Sequence, residues 1–247
     1  MQSIAVYSLK GGVGKTTLAV NLAWAAATRS SRRTLLWDLD AQSAAGFLLG
    51  ATGKTGKDAQ AVFAKEADPE KLIRKTAIAR LDLLPADASL RGLDRFLFSL
   101  AKKKRLLKLI EEVGRDYDRV ILDAPPGLTE TSEQVLRAAD LIIVPVIPSP
   151  LSRRALDEVV GFLDSHSIRR GPILPVYNMV DRRRSLHRAA IEAHPDWPVI
   201  PMASALEAMS TDPSAVGRLP AASPAGVALF GLWRGIEKRL ARIARAA

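Results

Sequence analysis

Cysteine is absent from all 247 residues. That absence excludes disulfides, thiolate metal sites, cysteine nucleophiles and cysteine-held iron–sulfur clusters. Histidine is scarce as well. His166, His187 and His194 show no metal-ligand spacing such as H-E-x-x-H, and each is expected at the surface or in a loop. No apolar run approaches the roughly 18–20 residues that cross a bilayer. The opening Met1-Gln2-Ser3-Ile4 lacks the basic and apolar regions of a signal peptide, so the chain is expected in the cytoplasm. Internal repeats, low-complexity tails and Pro/Gly/Ser-rich linkers are also missing. One domain over residues 1–247 is therefore expected, with no DNA-reading module ahead of the first strand.

Acidic residues are in deficit. Against 26 Asp and Glu stand 36 Lys and Arg, a net charge of +10. Such an excess points to a polyanionic partner, either nucleic acid or an acidic membrane face. The hydrophobic fraction of 48% is ordinary for a globular chain, and this length buries a large core unaided.

Short apolar runs at 3–8, 34–37, 81–84, 119–122, 141–146, 173–177 and 199–200 read as strands. Helical patterns occupy 16–27, 90–113, 132–138, 152–165 and 186–193, and residues 51–71 read as a loop with a short helix. Several strand runs are continuously apolar, as in parallel strands covered on both faces. The alternation predicts an α/β fold: a doubly wound, mostly parallel sheet with helices on both faces.

The first strand leads into Leu9-Lys10-Gly11-Gly12-Val13-Gly14-Lys15-Thr16-Thr17 and then a helix. Glycines let backbone N–H groups wrap phosphate oxygens while the helix directs its positive end at them. Lys15 is expected at the β- and γ-phosphates and the Thr16 hydroxyl on magnesium. Leu9 stands where the strict phosphate-loop pattern has its first glycine, and a second lysine, Lys10, follows it. Two other strands end in acids: Trp37-Asp38-Leu39-Asp40 and Leu122-Asp123-Ala124-Pro125-Pro126-Gly127. Ligands of open α/β sheets sit at the carboxyl ends of strands, so these acids should meet the magnesium and γ-phosphate.

These segments resemble the ParA/MinD family of deviant Walker A P-loop ATPases, closest to small ParA-like partitioning and positioning ATPases. The K-G-G-x-G-K-T-T loop, the D-L-D-x-Q segment and the D-x-P-P-G segment carry the resemblance in order. It implies ATP and Mg2+ as ligands, with Gly11, Gly12, Val13, Gly14, Lys15, Thr16 and Thr17 on the phosphates. Lys10 would cross to the partner's phosphates in an ATP-sandwich homodimer. Asp40 would position the attacking water, Asp38 would support the magnesium shell, and Asp123 would be the Walker B acid. Pro125–Gly127 would sense the γ-phosphate, and Asn178 would recognise adenine. Ala41 departs from the family's usual proline, a change expected to loosen the first switch.

The resemblance further implies slow ATP hydrolysis and nonspecific binding of double-stranded DNA. A ParB-like or adaptor protein would stimulate turnover, and the protein would be nucleoid-associated. Candidate DNA contacts are Arg182, Arg183 and Arg184, then Arg218, then Arg234, Lys238, Arg239 and Arg242 on the last helix. The cluster Lys102–Arg105 reads instead as a solvated helix face. Two alternatives compete. The apolar positions 229, 232, 233, 236, 240 and 243 would suit a MinD-like switch whose basic amphipathic helix lies on a membrane. A metabolic ATP-dependent enzyme of the same superfamily is the other, although no substrate motif supports it.

Overall fold

The computed structural model describes residues 1–51, 58–100, 104–166, 171–212 and 215–246. In chain order the elements are β1 (Gln2–Val6), α1 (Lys15–Arg29), β2 (Thr34–Asp38), α2 (Ala44–Leu48), α3 (Gln60–Ala64), β3 (Arg74–Lys75) and β4 (Leu81–Leu84). There follow α4 (Leu93–Leu100), α5 (Arg105–Val113), β5 (Arg119–Asp123), α6 (Glu130–Ala138), β6 (Leu141–Val146) and α7 (Pro150–Ser165). The chain closes with β7 (Ile173–Val180), α8 (Ser185–Ala193), β8 (Val199–Pro201), α9 (Ser204–Glu207) and α10 (Pro224–Ala246).

Among the described residues the strands form one sheet in the order β3-β4-β2-β5-β1-β6-β7-β8. Every pairing is parallel except β3 with β4. The buried centre of the sheet explains the continuous apolar runs, because a strand covered on both faces has no polar side to show. One core layer packs Leu35, Trp37, Leu122 and Val144 against Leu97, Leu109, Leu136 and Val159. The other packs Ile4, Leu36, Ile121 and Val176 against Leu18, Leu22, Leu229 and Trp233. In α1 the alanines at 19, 23, 25, 26 and 27 are all buried, so the helix lies close on the sheet.

Three expectations change. The stretch 90–113 is not one helix: a 3-10 turn (Ala88–Gly92) leads into α4, and α5 is separate. Leu93 and Leu97 bury one stripe, and one turn beyond Leu100 that stripe reaches Lys104, whose non-helical backbone (φ −117°) caps α5 as a separate helix. Arg105 is not on a solvated face either. It is buried, and its guanidinium donates to the carbonyls of Phe63 (2.8 Å) and Val62 (3.1 Å) at the end of α3. Lys102 and Lys103 lie outside the described residues. His187 is likewise buried rather than at the surface, its Nδ1 accepting from the Asp181 N–H at 3.0 Å. Edge strand β3 has two polar residues, Arg74 and Lys75, and so left no apolar signal.

Candidate functional site

The sheet register assembles the site. Asp38 at the end of β2 lies beside Asp123 at the end of β5, and Val6 at the end of β1 flanks Asp123 on the other side. The glycine loop leaves β1 and therefore arrives next to both acids. Gly12 and Gly14 adopt left-handed φ values of 73° and 82°, and open space surrounds Gly11 and Gly12. Exposed backbone of this shape at the start of a long helix receives phosphate oxygens. Leu9 tucks against the core rather than into the loop, which explains an apolar residue where the strict pattern has glycine. Lys10 is exposed, its backbone N–H donating to the Ser8 hydroxyl.

Lys15 is only 8% exposed. Burial lowers its pKa, while Asp123 and Asp40 act in the opposite direction. Asp38 is completely buried and its carboxyl is pushed well above the ordinary carboxylate range, first by burial and then by Asp123. One of its oxygens accepts from the Asp40 N–H (3.0 Å) and the other from the Ala45 N–H (3.1 Å). The loop after β2 is thus tied to the strand that carries it. Asp40 accepts from the Gln42 N–H, and the Ser43 hydroxyl donates to the Ala86 carbonyl at 2.8 Å. Ala41 packs against the core. These bonds, together with the Ser43 N–H donated to the Asp40 carbonyl at 2.8 Å, hold the loop around Ala41.

Asp123 differs from Asp38. Both of its carboxylate oxygens are buried and neither has a hydrogen-bond partner. Burial pushes its pKa up to about 7, with the nearby Thr16 hydroxyl and Lys15 opposing the rise and Asp40 adding to it. Orphaned buried carboxylate oxygens are rare and costly unless a cation or proton meets them. A hard divalent cation fits this donor set of Thr16 hydroxyl and aspartate oxygens beside a phosphate cradle. Beyond Asp123 the chain turns at Gly127 (φ 93°), whose carbonyl accepts from the buried Tyr7 hydroxyl at 2.9 Å. Thr129 and Ser132 then form a capping box that starts α6.

Asn178 enters from β7. A register shift against β8, with Met179 at a left-handed φ of 55°, turns the strand where it passes the loop. The Asn178 Nδ2 donates to the Val13 carbonyl at 2.8 Å. Beside it opens a mostly apolar cavity of about 380 Å³, lined among others by Gly14, Thr17, Asn21, Ile200, Met202 and Leu206. Its size and lining suit a flat heteroaromatic group adjoining the phosphate cradle. Sequence reading missed the wall from Ile200 to Leu206, because it consists of ordinary apolar residues in a strand exit and a short helix.

The basic residues are dispersed. Arg182 and Arg184 are exposed, and Arg183 is exposed but forked onto Asp181 at 2.9 and 3.0 Å. Arg218 stands 3.8 Å from Asp212. On α10, Arg234, Lys238 and Arg242 are exposed at four-residue spacing, whereas Arg239 is half-buried and donates to the Gly235 carbonyl. The opposite stripe of α10 is committed: Leu229, Leu232, Trp233, Ile236 and Leu240 are buried in the core. The Trp233 indole donates to the Ser30 hydroxyl at 2.8 Å. That apolar face is not free to lie on a membrane, and no helix among the described residues is long and apolar enough to cross one.

The family model described as an AAA domain matches residues 1–170. The virulence plasmid ParA family protein pGP5-D of Chlamydia psittaci is 31% identical over 188 residues, which are 75% of this chain and 72% of that protein. The chromosome partitioning protein ParA of Caulobacter vibrioides is 33% identical over 198 residues, again 75% and 72%. Among solved structures, apo McdA from Cyanothece superposes with a TM-score of 0.81 at 23% identity, covering 97% of this chain and 99% of that one. The cobyrinic acid a,c-diamide synthase of Mycobacterium smegmatis, with bound ATP analog and magnesium, gives 0.79 at 25% identity, covering 97% and 95%.

Proposed function

The chain belongs to the ParA/MinD family of P-loop ATPases, and on that premise we propose that it is a ParA-like switch that dimerises on ATP, binds DNA without sequence preference and positions a cargo. A role in partitioning or positioning comes with the family; the dimer, the DNA and the magnesium are what we propose for this chain. One observation supports its nucleotide and magnesium part above all: the buried carboxylate of Asp123, without a hydrogen-bond partner, beside Lys15 and the glycine loop.

In this reading the loop N–H groups, Lys15 and Thr17 bind the phosphates, and Asn178 holds the adenine against the cavity wall. Magnesium, when bound by Thr16 and Asp123 with Asp38 behind them, supplies charge neutralisation at the β- and γ-phosphates. Asp40 orients the attacking water. Phosphoryl transfer depends on positioning and charge more than on a strong base, so an incomplete site turns over slowly. Lys10 is exposed and reaches across to the second subunit's phosphates, which makes association the step that completes each site. Pro125–Gly127 reports the γ-phosphate to α6, and hydrolysis releases the dimer. A ParB-like or adaptor protein accelerates that release.

DNA binding falls to Arg234, Lys238 and Arg242, with Arg218 and Arg182–Arg184 as further candidates. The buried apolar stripe of α10 supports DNA over a membrane surface. The likeness to the diamide synthase is one of fold, and no substrate motif in the sequence supports a metabolic reading. The test is filter binding of random-sequence duplex with ATP and magnesium. Binding should weaken steeply between low and moderate salt, and the Arg234→Ala/Lys238→Ala/Arg242→Ala variant should lose at least about tenfold affinity with ATP binding intact. Undiminished DNA binding in that variant, or binding to anionic vesicles in preference to duplex, would overturn the assignment.

A further inference from the structure

On the face of the sheet away from α10, the helices α3, α4 and α5 enclose a groove of about 440 Å³. Among the described residues its lining is Phe63, Ala64, Lys65, Phe96, Leu100, Lys104, Arg105 and Lys108: four cations, four apolar residues and no carboxylate. Arg105 is buried in its wall with two guanidinium nitrogens fixed on the ends of α3, so one positive charge is rigidly placed. Burial lowers the pKa of Arg105 yet leaves the group a cation. Lys65, Lys104 and Lys108 stand exposed around the opening. On the same helix α4, Phe98 is 78% exposed, the most exposed large apolar side chain described.

We propose that this groove is a docking site for an acidic peptide segment with apolar side chains on a partner protein. A cationic rim around an apolar floor is complementary to carboxylates flanking a leucine or phenylalanine. Duplex DNA matches the charge, but its accessible apolar groups are single thymine methyls in the major groove, too short to fill an apolar floor without unstacking a base. A flat anionic bilayer would have to cover Glu111 and Glu112, exposed on α5, and Glu66 beside Lys65; Glu112 also acts on Arg105, yet the four cations that line the groove outnumber it there.

The location gives the site a path to the nucleotide. Asp94 of α4 accepts from the Thr131 N–H in the first turn of α6 at 2.9 Å. Gln134 of α6 accepts from the Leu106 N–H of α5 at 3.0 Å. The helix that follows the Asp123–Gly127 segment is therefore tied to both walls of the groove.

The experiment is fluorescence anisotropy on the full chain with a labelled peptide alternating glutamate with leucine and phenylalanine. A glutamate–serine peptide of equal charge, a labelled duplex and phosphatidylserine vesicles serve as comparison probes. The glutamate–leucine/phenylalanine peptide should bind in a salt-sensitive way, and Lys104→Glu/Lys108→Glu should weaken it at least about tenfold. The same variant should leave duplex binding unchanged within about twofold, because the α10 cations are intact. A circular dichroism melt matching the parent would show that both surface changes leave the fold alone. The proposal is overturned if the apolar peptide binds no better than glutamate–serine, or if charge reversal leaves its affinity unchanged. It is equally overturned if the reversal abolishes duplex or vesicle binding instead.

Discussion

Gly14 carries two constraints at once. Its φ of 82° is left-handed, and a Cβ built there would sit 2.6 Å from the Asn178 Nδ2. Gly14→Ala is therefore expected to cost about 1–2 kcal/mol and to displace the amide from the Val13 carbonyl. A thermal melt and an ATP titration should show a lowered Tm with at least about tenfold weaker nucleotide binding; an unchanged affinity would detach Asn178 from the nucleotide. Asp123 makes a prediction of opposite sign. Its folded pKa of about 7 lies above the ordinary 3.8, so the folded chain holds this proton more tightly than the unfolded one. Metal-free stability then falls as pH rises through about 4 to 7 and stays low above it. Asp123→Asn removes that loss. In EDTA the variant should gain on the parent between pH 5 and pH 8 in denaturant titrations, while its magnesium-nucleotide affinity drops. A stability gap that does not move with pH would show that Asp123 ionises freely. At this scale the sequence was legible wherever a residue type is chemically forced, as in the glycines, Lys15 and the two strand-end aspartates. It could not tell that Asp38 is pinned by two backbone N–H groups and Asp123 by none, because that difference arises from loop packing.

The C-terminal helix shows what an element adds. Its apolar spacing allowed either a membrane face or a packed one, and periodicity alone cannot separate them. Packing decides. Arg119 on β5, with its side chain 9% exposed, forks onto Glu237 of α10 at 2.8 and 3.0 Å, and Arg32 adds a contact at 3.5 Å. Glu237→Ala leaves a buried guanidinium without its carboxylate and should destabilise by about 3 kcal/mol. Arg234→Ala, on the exposed face of the same helix, should stay within about 0.5 kcal/mol. Equal effects in chemical denaturation would mean that α10 is held by its apolar stripe alone. The strands were readable because central parallel strands must be continuously apolar. The break between α4 and α5 was not, since it follows from the burial of Leu93 and Leu97 and from the reach of Arg105 to α3. Edge strand β3 and the short α2 and α9 carry too few residues to show a period.

At the scale of the whole molecule, the sheet brings the glycine loop and two acids together and leaves Lys10 exposed beside them. In the proposed function, exposed Lys10 acts between subunits and the cationic face of α10 acts on a polyanion. The two belong to one switch if ATP occupancy governs association. Sedimentation velocity with ATP and magnesium tests that most directly. In the slow-turnover Asp40→Ala background the protein should run as a dimer with ATP and as a monomer with ADP, and adding Lys10→Ala should return it to monomer. An Asp40→Ala protein that stays monomeric with ATP, or a Lys10→Ala protein that dimerises as readily, would contradict the account.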